Sequence, residues 1–132
     1  MKTVFTDTSA WYALINAQDA HHAKARRFLE SYTGTLLTSN YVAVETTNLI
    51  RYRLGTKQAL GFLDVLKKTT LVELAFLTPQ QHERSVELFA QYAEAGFSFT
   101  DCSSLLVIHD HRLELAFCFD ADFSRLGVAC VP

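Results

Sequence analysis

The sequence predicts a single α/β domain, residues 1–132, whose central, mostly parallel sheet of four or five strands is flanked by helices on both faces. Three observations carry that expectation. A chain of 132 residues is one domain's worth. Short β-type runs alternate with longer segments that are apolar at helical spacing, the pattern of strand–helix–strand units that build parallel sheets. Hydrophobic residues make up 49% of the chain against 20% charged, enough apolar surface to fold without disorder.

The elements follow in order. Lys2–Thr6 (KTVFT) reads as the first strand, and Asp7-Thr8-Ser9 are all good helix caps before the apolar AWYALI. A second helix is expected from Ala20 to Tyr32, with Ala25, Phe28, Leu29 and Tyr32 on one face and Gly34 as its stop. TLLTS (35–39) is a short buried strand. Ser39 or Asn40 caps a helix that Gly55 ends after Leu54, and Thr56 caps the next, apolar at Ala59, Phe62, Leu63 and Leu66. LVELAFL (71–77) is a third strand. Thr78-Pro79-Gln80-Gln81 forms a capping box for a helix carrying Val86, Leu88, Phe89 and Tyr92 up to Gly96. Thr100-Asp101 opens a further helix, and ELAFCF and GVACV are strands separated by DADFSRL.

Several function classes drop out early. No segment is apolar and long enough to span a bilayer, and Asp7 interrupts any secretory leader, so a cytoplasmic protein is expected. Three cysteines without a CxxC pair fit a reducing compartment. No Gly-rich phosphate loop is present. His21 and His22 are adjacent, about 100° apart on a helix, and do not converge on a zinc ion. Cys102 lacks an identifiable base. The net charge of −2 is unusual for a nucleic-acid binder and requires local basic clusters or bound cations.

In parallel sheets the functional crevice lies outside the carboxyl ends of the strands, so the residues that follow strands matter most. Asp7 follows the first strand; Asp120 and Asp122 follow the fourth. Taken singly, Asp7 also reads as a helix cap and Asp120 as a turn residue. Glu45 shares a helix face with Tyr41, Asn48, Leu49 and Tyr52, read as inward, where a carboxylate needs a partner: an Arg such as Arg51 or Arg53, or a cation. Asp101 sits in the first turn of its helix, where the dipole favours it and where it also suits a ligand. Gathered in one crevice, such carboxylates repel and need positive charge. An oxygen-only set fits Mg²⁺ or Mn²⁺, ions that activate water and steady the leaving oxygen in phosphodiester cleavage.

FTDTSAWYALIN, SNYVAVETTNLI, FSFTDCSSLLV and FCFDADFSRLGV, in that order, resemble the four signature blocks of the PIN domain, over essentially the whole chain. The nearest group is the compact prokaryotic proteins that include VapC-type toxins. The resemblance implies a PIN-like fold and a Mg²⁺- or Mn²⁺-dependent endoribonuclease in which Asp7, Glu45, Asp101 and Asp120 are catalytic metal ligands, with Asp122 as a rival or helper of Asp120. It implies contacts to metal-bound groups or substrate phosphate from Ser9 and Thr100, products with 5′-phosphate and 3′-hydroxyl ends, a small antitoxin partner, and a homodimer. RNA as substrate rests on this resemblance alone. Arg51 and Arg53 both follow Glu45 on its helix, and one or the other is expected to help place the RNA backbone. The competing readings are a catalytically silent PIN-fold module that binds protein or RNA, and a receiver-type phosphotransfer domain. The latter needs a late Lys, and none occurs after Lys68.

Overall fold

The computed structural model describes residues 2–132. Its strands are β1 (Thr3–Thr6), β2 (Thr35–Ser39), β3 (Val72–Ala75), β4 (Leu115–Phe117) and β5 (Ala129–Val131). Its helices are α1 (Thr8–Ile15), α2 (His22–Ser31), α3 (Asn40–Leu54), α4 (Thr56–Lys68), α5 (Pro79–Tyr92), α6 (Phe99–Asp110) and α7 (Asp122–Arg125). The strands form one sheet in the order β3-β2-β1-β4-β5, and every neighbouring pair is parallel. Parallel pairing demands a crossover between consecutive strands, and helices on the sheet faces supply it.

The central strands are short apolar runs because both of their faces are covered. Val4 and Phe5 on β1, Leu36 and Leu37 on β2, and Ala116 and Phe117 on β4 are all buried. From the helices, Trp11, Val42, Ile50, Phe62, Val107 and Ile108 join the same core. Helix α6 is buried continuously from Cys102 to Ile108, as a helix apolar on nearly all sides must be. The edge strand β3 is only partly buried, and Leu71 and Phe76 beside it are exposed.

Several boundaries differ from expectation, each for a local reason. Helix α2 begins at His22, not Ala20, because residues 16–21 form turns in which Asn16 and Asp19 side chains accept backbone N–H groups of Gln18 and His21. Ser98, not Thr100, caps α6 through a capping box with Asp101. Thr56 is the first residue of α4 rather than its cap; Gly55, at φ 103°, ends α3 and starts α4, a conformation that disfavours any side chain. DADFSRL contains the one-turn helix α7, which brings the chain back so that β5 runs parallel to β4.

Candidate active site

Strand β1 lies between β2, reached by the first crossover, and β4, reached only after β3 and two more helices. Between β1 and β4 the strand order therefore reverses, and at such a switch point the chain ends diverge and leave a crevice. The register pairs Thr6 with Phe117, and the Asp7 N–H donates to the Phe117 carbonyl at 3.0 Å. Asp7 and the segment Phe119–Asp120 thus leave the sheet side by side.

Asp7 caps α1. Its Oδ2 accepts from the Ser9 N–H at 3.4 Å and from the Ser9 hydroxyl at 3.1 Å, while the Ser9 Oγ accepts the Phe119 N–H at 3.0 Å. Ser9 therefore ties the Asp7 carboxyl to the exit of β4. Thr46 on α3 donates to the Thr8 hydroxyl at 3.2 Å, which holds α3 against the start of α1 and sets Glu45 beside Asp7's end of the sheet.

Glu45, Leu49 and Arg53 recur at intervals of four along α3 and line a common cleft of about 350 Å³ with Asp7, Asp101 and Asp120. The inward face assigned to Glu45 needs correction. The buried residues of α3 are Val42, Ala43, Thr46 and Ile50, whereas Tyr52 is 89% exposed and Glu45 stands half-buried at the border. Among the described residues Glu45 forms no ion pair with Arg51 or Arg53. Arg53 instead lies over the Tyr12 ring at 5.2 Å, inside the cleft, and Arg51 lines a separate depression with Asn48 and Tyr52.

The remaining acids reach the cleft from two helix starts. Asp101 accepts the Ser98 N–H at 3.0 Å through Oδ2, its half of the capping box. Asp120 Oδ1 accepts the Asp122 N–H at 3.1 Å. Asp122 pairs with Arg125 at 3.6 Å and does not line the cleft. Thr100 does not line it either; its carbonyl accepts the Ser103 hydroxyl at 2.7 Å.

Proton affinities report how these groups sense one another. Burial pushes the Asp7 carboxyl up to about 7, and the Asp120 charge adds to it, against relief from the N–H groups of Thr8 and Ser9. Asp101 is raised to about 6, again mainly by burial, offset by its Ser98 bonds and increased by Asp122 and Asp120. Asp120 is raised by burial, with Asp122 and Glu45 adding repulsion. Among the described residues, none of these three carboxyls forms an ion pair.

Asp19, His21 and Phe119 also line the cleft, and nothing in the residue pattern pointed to the first two there. Asp19 and His21 sit on the α1–α2 turn, whose passage over the cleft has no local signature. Phe119 had one: it directly precedes Asp120 at a strand exit.

Among the described residues, no group of three or more His, Cys, Asp or Glu side chains is placed close enough together to hold a metal ion by itself. The oxygen donors of Asp7, Glu45, Asp101 and Asp120, gathered on this open cleft, nonetheless fit a hard cation that retains much of its water. Mg²⁺ in particular is held through one or two carboxylates rather than by a dedicated cage.

The PIN domain family model matches residues 4–129. The chain is 35% identical over 124 residues to the 23S rRNA-specific endonuclease VapC20 of Mycobacterium tuberculosis, covering 94% of each. It superposes on the crystal structure of that protein, described as a Sarcin-Ricin loop cleaving toxin, with a TM-score of 0.89 over 96% of both chains at 34% identity. A VapC ribonuclease of Archaeoglobus fulgidus is 27% identical over 123 residues, covering 89% of this chain and 77% of that one. The fold also matches VapBC2 of Rickettsia felis, bound to a DNA fragment from its promoter, at a TM-score of 0.71 and 14% identity, over 97% and 96% of the two chains. With a family match from the first strand to the last and four acids at the switch point of a wholly parallel sheet, the chain belongs to the PIN-domain family and is homologous to the VapC ribonuclease toxins.

Proposed function

We propose that this protein is a Mg²⁺- or Mn²⁺-dependent endoribonuclease and the toxin of a toxin–antitoxin pair, with ribosomal RNA as its substrate class. The observation that carries the reading is the convergence of Asp7, Glu45, Asp101 and Asp120 on one cleft, with three of the four carboxyls raised, mainly by burial and further by one another's charge. These four would hold the metal, in part through water, with Asp122 contributing charge from behind Asp101. A divalent cation bound there would supply positive charge to the scissile phosphate and acidify water.

The chain's own residues do the rest. Ser9 fixes the rotamer of Asp7, and the Ser98 N–H aims Asp101. Arg53, preorganised over Tyr12, draws the phosphodiester backbone toward an otherwise acidic cleft. A cleft carboxylate takes a proton from the attacking water as its oxygen bonds to phosphorus, the P–O3′ bond breaks, and the leaving 3′-oxygen takes up a proton from solvent, so the products carry a 5′-phosphate and a 3′-hydroxyl. The ribosomal RNA assignment is carried over from the Mycobacterium tuberculosis relative. An antitoxin and a second copy are the proposed protein partners, supported by the exposed Val44, Leu60 and Leu63 on α3 and α4, Phe76 just after β3, and Val86 and Phe89 on α5.

Asp101→Asn is the decisive variant. Asparagine retains an oxygen for the Ser98 N–H, so the capping box and the fold persist while a metal-binding charge is lost. Cleavage of ribosomal RNA in Mn²⁺ is expected to fall on the order of a thousandfold. Cleavage at the wild-type rate by a pure, folded variant refutes the site.

A further inference from the structure

One wall of the cleft takes no part in the chemistry above. His21 is exposed on the α1–α2 turn, and its ring lies flat on Phe119, with centroids 4.6 Å apart and planes 9° apart. Phe119 meets Phe117 edge-on at 6.0 Å, and Phe117 packs on Phe28 at 4.5 Å. The histidine therefore ends a column of rings that begins in the core. Its turn is braced from below. Asp19 Oδ1 accepts the His21 N–H at 2.9 Å, and the neighbouring His22 ring donates from Nδ1 to the Ala13 carbonyl at 2.7 Å.

Phe119 covers one face of the imidazole, which leaves the other open at the cleft that Asp7 and Asp120 line. A flat, pre-positioned ring beside a phosphate site suits one kind of ligand group. Unpaired bases are bound by stacking on such rings, and a ring already held in place loses little freedom on binding. We propose that His21, backed by Phe119, is the stacking platform for an unpaired nucleobase adjoining the scissile phosphate. The proposal rests on the endoribonuclease reading. Base and backbone are then gripped by different elements, the base by the α1–α2 turn and the backbone by Arg53 on α3. A base held this way must be out of a helix, so the cleft selects single-stranded or looped RNA over duplex.

The test compares wild type, His21→Ala and His21→Phe, measuring kcat and KM on deproteinised ribosomal RNA with Mn²⁺, and Mn²⁺ affinity by calorimetry. His21→Ala is expected to raise KM about tenfold, with kcat and Mn²⁺ affinity unchanged. His21→Phe, which keeps a flat ring and loses the ring nitrogens, is expected to restore KM. An unchanged KM in His21→Ala overturns the platform and leaves the nuclease standing. A His21→Phe enzyme as weak as His21→Ala also overturns it, because charge or hydrogen bonding would then be the active property. Wild-type protein that cuts no RNA overturns the nuclease reading and the platform together.

Discussion

Before β1 and β4 the chain carries Lys2 and Glu114, and these form an ion pair at 2.8 Å in full solvent. After the same two strands it carries Asp7 and Asp120, two acids with no ion-pair partner among the described residues, the first of them 3% exposed. One pair of strands thus has opposite electrostatics at its two ends. At the amino end each side chain holds the other in its charged form: Lys2 lowers the Glu114 carboxyl and Glu114 raises the Lys2 ammonium. At the carboxyl end burial and like charge work together against ionisation, up to about 7 at Asp7. Folding alone gains nothing from the second arrangement; a cation-binding cleft does.

The largest expected way to break this contrast is through Asp7. Burial raises its carboxyl to about 7 in the folded protein from the ordinary 3.8, so the metal-free fold binds a proton that the unfolded chain releases. The associated stability is fully present below pH 3.8 and is lost as pH rises through 7, with Asp101 adding to the loss around 6. Thermal melts of metal-free protein are therefore expected to show lower stability at pH 8 than at pH 5, by on the order of a few kcal/mol. Asp7→Asn should flatten that dependence, raise the melting temperature at pH 8 and abolish cleavage. A metal-free protein equally stable at both pH values would mean that the carboxyls are not strained.

A middle-sized effect separates the two arginines. Arg53→Glu is expected to weaken RNA binding several-fold and reduce its salt dependence by about one contact, whereas Arg51→Glu should do little, since Arg51 faces another depression. Salt titrations of RNA affinity for both variants sharpen the comparison, and equal effects would remove Arg53's special place. The smallest effect belongs to the amino end. Glu114→Gln breaks a solvent-exposed pair and is expected to leave melting temperature and cleavage rate unchanged. A loss of cleavage there would show that the two ends are coupled through β4.

Much of this fold is written in local chemistry. The capping box at Thr78–Gln81, the Ser39 cap of α3 and the glycine that ends it all appear where residue type and spacing put them. Other features have no local signal. DADFSRL is too short and polar for its helix to be seen, and α7 follows from the need to bring β5 back parallel to β4. Ser98 and Thr100 are both residue types that open helices, and only the bond from the Asp101 N–H to the Ser98 Oγ selects between them.

At the site the division is similar. Asp7 and Asp120 were legible because residues that follow parallel strands must meet at the sheet edge. Glu45 was found on a mistaken premise: it does not point inward, and it reaches the cleft from the border of α3. Asp122 and Thr100 look as suitable as their neighbours in one dimension, yet one turns to Arg125 and the other stays out of the cleft.

The sequence by itself determined the alternation of strands and helices, the parallel sheet and the acids that end up at its carboxyl edge. Periodicity and capping are short-range physics, and strand exits inherit their position from the sheet. Only the tertiary structure decided which side chains share the cleft, that Arg53 and not Arg51 enters it, and that His21 lies on Phe119. Those relations join residues far apart in the chain, and packing geometry, not spacing, sets them.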